Sequence, residues 1–146
     1  MKTILWNVAA VLIGFVLGSI VNMVLIAVSP LVIPPPVGVD LSKAENLKAS
    51  VHLFEAKHFL FPFLAHAVGT FVGSLVAYGV ARSYRSAFAY TIGGLFLAGG
   101  IAASFMIPSP AWFIAVDLML AYLPMAWLAI RLGVRFVGNT SVPAQS

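Results

Sequence analysis

The expected fold is an all-α membrane protein: a four-helix transmembrane bundle whose long first outer loop carries a short interfacial helix. Three observations predict it. Hydrophobic residues make up 62% of the 146 residues and charged residues only 8%, against roughly 25% charged in a typical soluble domain. Mean hydropathy is +1.05. The few charges stand between long apolar runs and could not cover a water-soluble surface of this size.

A bilayer core of about 30 Å is crossed by about 20 apolar residues in a helix. Four stretches of the single domain 1–146 qualify, at about 4–28, 58–81, 87–107 and 111–132, with an outer loop at about 29–57. The runs lack strand alternation and exceed the roughly 10 residues of a barrel strand, so they are helices. Met1-Lys2 ahead of the first run imitates a signal peptide. That run is too long for a signal core, and Pro30 follows the only small-residue cleavage site, Ala27-Val28-Ser29, so a retained anchor is expected.

The connections differ. The turn at Arg82-Ser83-Tyr84-Arg85-Ser86 and the hairpin Ile107-Pro108-Ser109-Pro110 are short, which makes the last three spans packed neighbours. The first connection opens with Pro34-Pro35-Pro36, an extended stretch. Ser42 and Glu45 then form a capping box for a short helix to about Ser50, and Leu41, Leu47 and Val51 lay it on the membrane surface.

Lys2, Arg82, Arg85, Arg131 and Arg135 fall on one side with no acid. Lys43, Lys48 and Lys57 fall on the other, offset by Asp40, Glu45 and Glu55. The positive-inside rule therefore puts both termini in the cytoplasm. The net charge of +4 belongs to this asymmetry and to anionic lipid, since no basic patch with interleaved aromatics points to nucleic acid. Trp6, Trp112, Trp127, Tyr84 and the Phe59, Phe61, Phe63 cluster read as interface anchors.

Small residues let helices approach in lipid, where little hydrophobic drive exists between them. Gly14 and Gly18 repeat at a four-residue step that lands next on Asn22. Gly69 and Gly73 do the same, with His66 just before them, and the third span carries Gly93-Gly94 and Gly99-Gly100. Asn22 and His66 should therefore face protein.

An ionisable group inside a bilayer costs at least about 2.5 kcal/mol for Asp and is a functional candidate by default. His66 and Asp117 are such groups, and Asn22 is a polar companion. Counted from the outer face, Asn22 and Asp117 lie about 9 Å deep and His66 about 6–12 Å deep. Three spans thus offer polar groups at one level. If they converge, Asp117 pairs with His66, and the pair can exchange a proton near neutral pH or hold a small cation. The bland alternative is a hydrogen-bonded clasp between helices.

Glu55, His58 and His52 would ring the outer mouth. Their three-residue spacing is not the His-Glu-x-x-His pattern of a metal helix, and a divalent metal on Glu55, His58 and His66 is the weaker expectation. Otherwise no cofactor is expected. Haem lacks histidines on facing helices, because His58 and His66 share a segment. The chain has no cysteine and therefore no thiolate chemistry. Pro124 should kink the fourth span near Leu120, while Tyr78, Tyr90 and Thr91 form a second polar level toward the inner end.

The run Pro34-Pro35-Pro36-Val37-Gly38-Val39-Asp40, then Lys57-His58-Phe59, then Pro62-Phe63-Leu64-Ala65-His66-Ala67-Val68-Gly69-Thr70, resembles a family of uncharacterised small four-span bacterial inner-membrane proteins. The resemblance covers most of the chain and implies this threading in a bacterial inner (plasma) membrane, with no known activity. The pattern does not look like the small fluoride-channel or multidrug-transporter families.

Two functions stay open: small-ion or proton-linked transport through Asn22, His66 and Asp117, and an accessory or assembly subunit of a larger membrane complex. The first implies a homo-oligomer with its own pore, the second a larger partner. Catalysis has no motif behind it: there is no nucleotide loop, no local Ser-His-Asp signature and no close carboxylate pair. A lipid-modifying enzyme using His58, His66 and Asp117 is the form it would take.

Overall fold

A computed structural model describes residues 1–40 and 44–138. They form six α-helices and no strand among the described residues: α1 (Lys2–Val32), α2 (Ala44–Ser50), α3 (Leu60–Val80), α4 (Arg85–Met106), α5 (Ala111–Leu120) and α6 (Leu123–Gly138). Single 3₁₀ turns at Val51–Leu53 and Ala56–Phe59 join α2 to α3. Four segments are long and apolar enough to cross a membrane, the last being α5 and α6 together. The protein is an integral, multi-pass membrane protein with an all-α bundle. The long connection defines a loop face, and the start of α1 and the end of α6 belong to the opposite, terminal face.

α1 begins and ends beyond the expected 4–28 and contains Pro30 in its last turn. Proline there removes only one backbone bond, and Ile33 still donates to the Ser29 carbonyl at 2.9 Å. At about 1.5 Å per residue its 31 residues exceed a bilayer core, so α1 tilts or emerges into the headgroups. Only Ala10, Gly14 and Gly18 of this helix are buried, at successive four-residue steps. They form the seam with α3. A Cβ at Gly14 would stand 2.6 Å from the Gly73 carbonyl, and one at Gly18 would stand 2.6 Å from that of Gly69.

α3 is the hub. It packs on α1, α4 and α6, and its buried residues are small or polar: Ala65, Gly69, Thr70, Gly73, Ser74 and Ala77 among them. Ser74 donates to the Ala89 carbonyl of α4 at 3.0 Å. On the terminal face, Asn7 donates to the Ser83 hydroxyl at 2.8 Å and accepts from the Arg82 and Ser83 amides at 3.0 and 3.4 Å. That clamp holds a tight turn in which Tyr84 adopts φ 49°. Arg82 lies over Trp6 at 5.0 Å and Arg131 over Trp127 at 4.9 Å, so two of the expected anchors carry cations.

The fourth span departs from the single helix expected at 111–132. It breaks after Leu120, restarts at Leu123 and runs on to Gly138. The cause is Pro124, which has no N–H for the Leu120 carbonyl and whose ring crowds the preceding turn. The short helix expected in the long connection is present as α2, although Leu41 and Ser42 of its expected start lie outside the described residues. Leu47 of α2 lines a cavity beneath it, and Val51, just past its end, is buried in a cluster with Phe59 and Phe113. The segment from Leu47 to Val51 therefore covers the bundle at the loop face.

Candidate functional site

His66 stands on α3, one turn loopward of the glycine seam, and Asp117 on α5. They meet. The Nδ1–H of His66 donates to both carboxylate oxygens of Asp117, at 2.8 Å to Oδ1 and 3.0 Å to Oδ2. Tyr122 completes the group, its hydroxyl donating to Asp117 Oδ2 at 2.8 Å. Asp117 is 4% exposed and Tyr122 1% exposed, so this carboxylate survives burial through charge-assisted hydrogen bonds.

Tyr122 had no role in the sequence reading. Five residues after Asp117, a continuous helix would place it about 140° round the axis. The break at Ala121–Tyr122 swings it back under Asp117, and its ring stacks on His66 at 5.8 Å between centroids. The opposing wall is Gly100 of α4, where a Cβ would overlap the phenol. The proline near an intramembrane acid was the one available signal for this arrangement.

Above the trio lies a cavity of about 350 Å³. α1 contributes Ile26, Ser29 and Pro30, α2 contributes Leu47, and α4 contributes Gly100 and Ser104. Phe59, Phe113 and Ile114 supply much of the remaining wall, with His66 and Asp117 at the deep end. On the terminal side the buried Ala77, Ile92 and Ala121 close the bundle.

The other expected site residues divide. Asn22 is half-buried beside the Gly69 backbone, but it does not line the cavity, and no hydrogen bond joins it to His66 or Asp117. One four-residue step on from Gly18, it belongs to the α1–α3 seam. Of the three mouth residues, only His58 lines the cavity; His52 and Glu55 are exposed. Glu55 pairs with Lys57 at 3.1 Å. His58 accepts the Glu55 amide on Nδ1 at 2.9 Å and donates from Nε2 to the Pro34 carbonyl at 3.1 Å. Both its ring nitrogens therefore serve the backbone, tying the proline stretch to the start of α3. Among the described residues no group of three or more His, Asp or Glu side chains is placed to hold a metal.

The second polar level does not assemble either. Tyr78 is buried against Gly133, whereas Tyr90 is exposed and Thr91 bonds its own Ala87 carbonyl.

Fold and site together define a class, a four-span integral membrane protein with a His–Asp–Tyr group at the floor of a cavity. Compared with family models, curated proteins and solved structures, the chain gives no match in any of the three.

Proposed function

We propose that this chain is a bacterial inner-membrane protein with cytoplasmic termini and that it performs proton-linked transport. The observation that carries this reading is the Asp117 carboxylate, buried at the deep end of a cavity, with an imidazole and a phenol as its hydrogen-bond partners. Histidine is the side chain whose ordinary titration spans physiological pH, and here its proton bridges to a carboxylate. The proton branch is favoured over a hydrated ion because the cavity walls are mostly apolar and offer few oxygens. A divalent metal would need His58 to give up a backbone bond. The broken fourth span supports movement at the site, since interrupted helices beside buried polar groups are a recurring feature of transporters.

Purified protein in liposomes with a trapped pH-sensitive dye tests this. The wild type should dissipate an imposed pH gradient, and Asp117→Asn and His66→Ala should each reduce the rate to that of empty vesicles. Unchanged flux in either variant overturns the reading.

An accessory role is the second reading, favoured by the exposed small residues Gly94, Ala98 and Gly99 of α4, which leave room for another helix. Native mass spectrometry after gentle release would then show a larger unrelated chain rather than a homo-oligomer.

A further inference from the structure

The cavity has a chemistry of its own. At about 350 Å³ it is far larger than the roughly 30 Å³ share of one water and lies within the range of small-molecule sites, which begins at about 300 Å³. No Lys or Arg lines it, and its one carboxylate would repel an anion. A small cation would find few oxygens besides those of Asp117, which already accept hydrogen bonds from His66 and Tyr122 at three of about four lone-pair sites. The occupant is therefore uncharged.

A membrane phospholipid suits the cavity poorly. Its roof sets Leu47, Val51 and Phe54 beside the polar side chains of Ser29, His58 and Ser109, and no Lys or Arg stands among the lining residues to meet a phosphate. At the deep end His66 Nε2 is left without a partner. Nδ1–H is given to Asp117, no described residue bonds Nε2, and it is not among the buried unpaired atoms. With the proton on Nδ1, Nε2 is an acceptor. It calls for a donor.

We infer that the cavity binds an uncharged, mainly apolar molecule bearing one hydroxyl group, phenol or alcohol, which donates to Nε2 of His66 while its body lies against Ile26, Phe59, Phe113 and Ile114. This deepens the reading above, since it assigns a ligand to the same His–Asp–Tyr floor.

The test is calorimetric titration of the full chain in nanodiscs with two matched pairs: 4-butylphenol against its methyl ether, and 1-octanol against its methyl ether. Empty nanodiscs give the partition background. The hydroxyl compound of at least one pair should bind about tenfold or more tighter than its ether, because the ether leaves Nε2 unpaired. His66→Ala should erase that preference, and Ile114→Trp, which fills the wall without touching the floor, should abolish binding of both members. Equal binding of alcohol and ether in both pairs overturns the assignment, as does a preference that survives His66→Ala or binding unaffected by Ile114→Trp. Should His66→Ala fail to fold, the wild-type pairs and Ile114→Trp still decide. Dye-monitored proton flux needs neither probe. Intact flux without hydroxyl preference sinks the ligand alone, and hydroxyl preference without flux sinks transport alone.

Discussion

Gly100 of α4 leaves the space that the Tyr122 ring of the fourth span occupies, and the hydroxyl of that ring holds the Asp117 carboxylate at 2.8 Å. A glycine one helix away thus decides whether the buried acid keeps its second partner. Gly100→Ala should displace the phenol and uncouple it from Asp117. The expected cost is about 1.5–3 kcal/mol, the worth of a hydrogen bond to a charged group. Thermal unfolding in detergent measures it, with Tyr122→Phe as the variant that loses the same bond without a clash.

The α1–α3 seam should be as intolerant. Gly18→Ala places a methyl 2.6 Å from a backbone carbonyl, which cannot step aside as a side chain can. Overpacking of this kind costs about 1–3 kcal/mol. Gly94→Ala and Gly99→Ala meet nothing within 4 Å and should leave stability unchanged or raise it by up to about 1 kcal/mol, since alanine outranks glycine in a helix interior. Equal effects at the four-residue seam and at the exposed α4 face would show that the seam is not where the bundle is tight.

Asn7 makes three hydrogen bonds to the turn between α3 and α4. Asn7→Ala should expose that turn to protease and lower stability by about 1–2 kcal/mol. Tyr84→Gly should act in the opposite direction, by about 1 kcal/mol, since glycine adopts φ 49° without the steric penalty borne by tyrosine.

Thr70 is fully buried, and its hydroxyl has no hydrogen-bond partner. Its burial costs about 1–3 kcal/mol with no return. Thr70→Val keeps the shape and removes the oxygen, so the unfolding temperature should rise. A fall would mean that the hydroxyl is satisfied in the membrane, by a bound water for instance.

His58 holds the proline stretch by its Pro34 bond and the start of α3 by its Glu55 bond. His58→Ala should raise amide hydrogen exchange across residues 34–40 and 44–60, whereas His52→Ala, at an exposed position, should leave it unchanged. Zinc or a chelator should likewise leave wild-type exchange unaltered, because both ring nitrogens of His58 are already engaged.

Much of this architecture is legible in the chain. Sparse charge and long apolar runs determine the solvent, the number of spans and their order. The four-residue glycine steps determine which sides of α1 and α3 come together, since backbones approach closely in lipid only where side chains are absent. Burial also singles out His66 and Asp117 before any fold is known.

What the sequence could not decide is which polar groups meet. His66 and Asp117 are 51 residues apart, and their contact follows from how α3 and α5 cross. Equal depth put Asn22 at the same level, but depth says nothing of direction round a helix axis, and Asn22 turns into the glycine seam. Tyr122 enters the site only because Pro124 interrupts the helix and Gly100 leaves room for the swung ring. Span count and packing faces are set locally by composition and spacing. The site is set by rotations and breaks that only the packed bundle resolves.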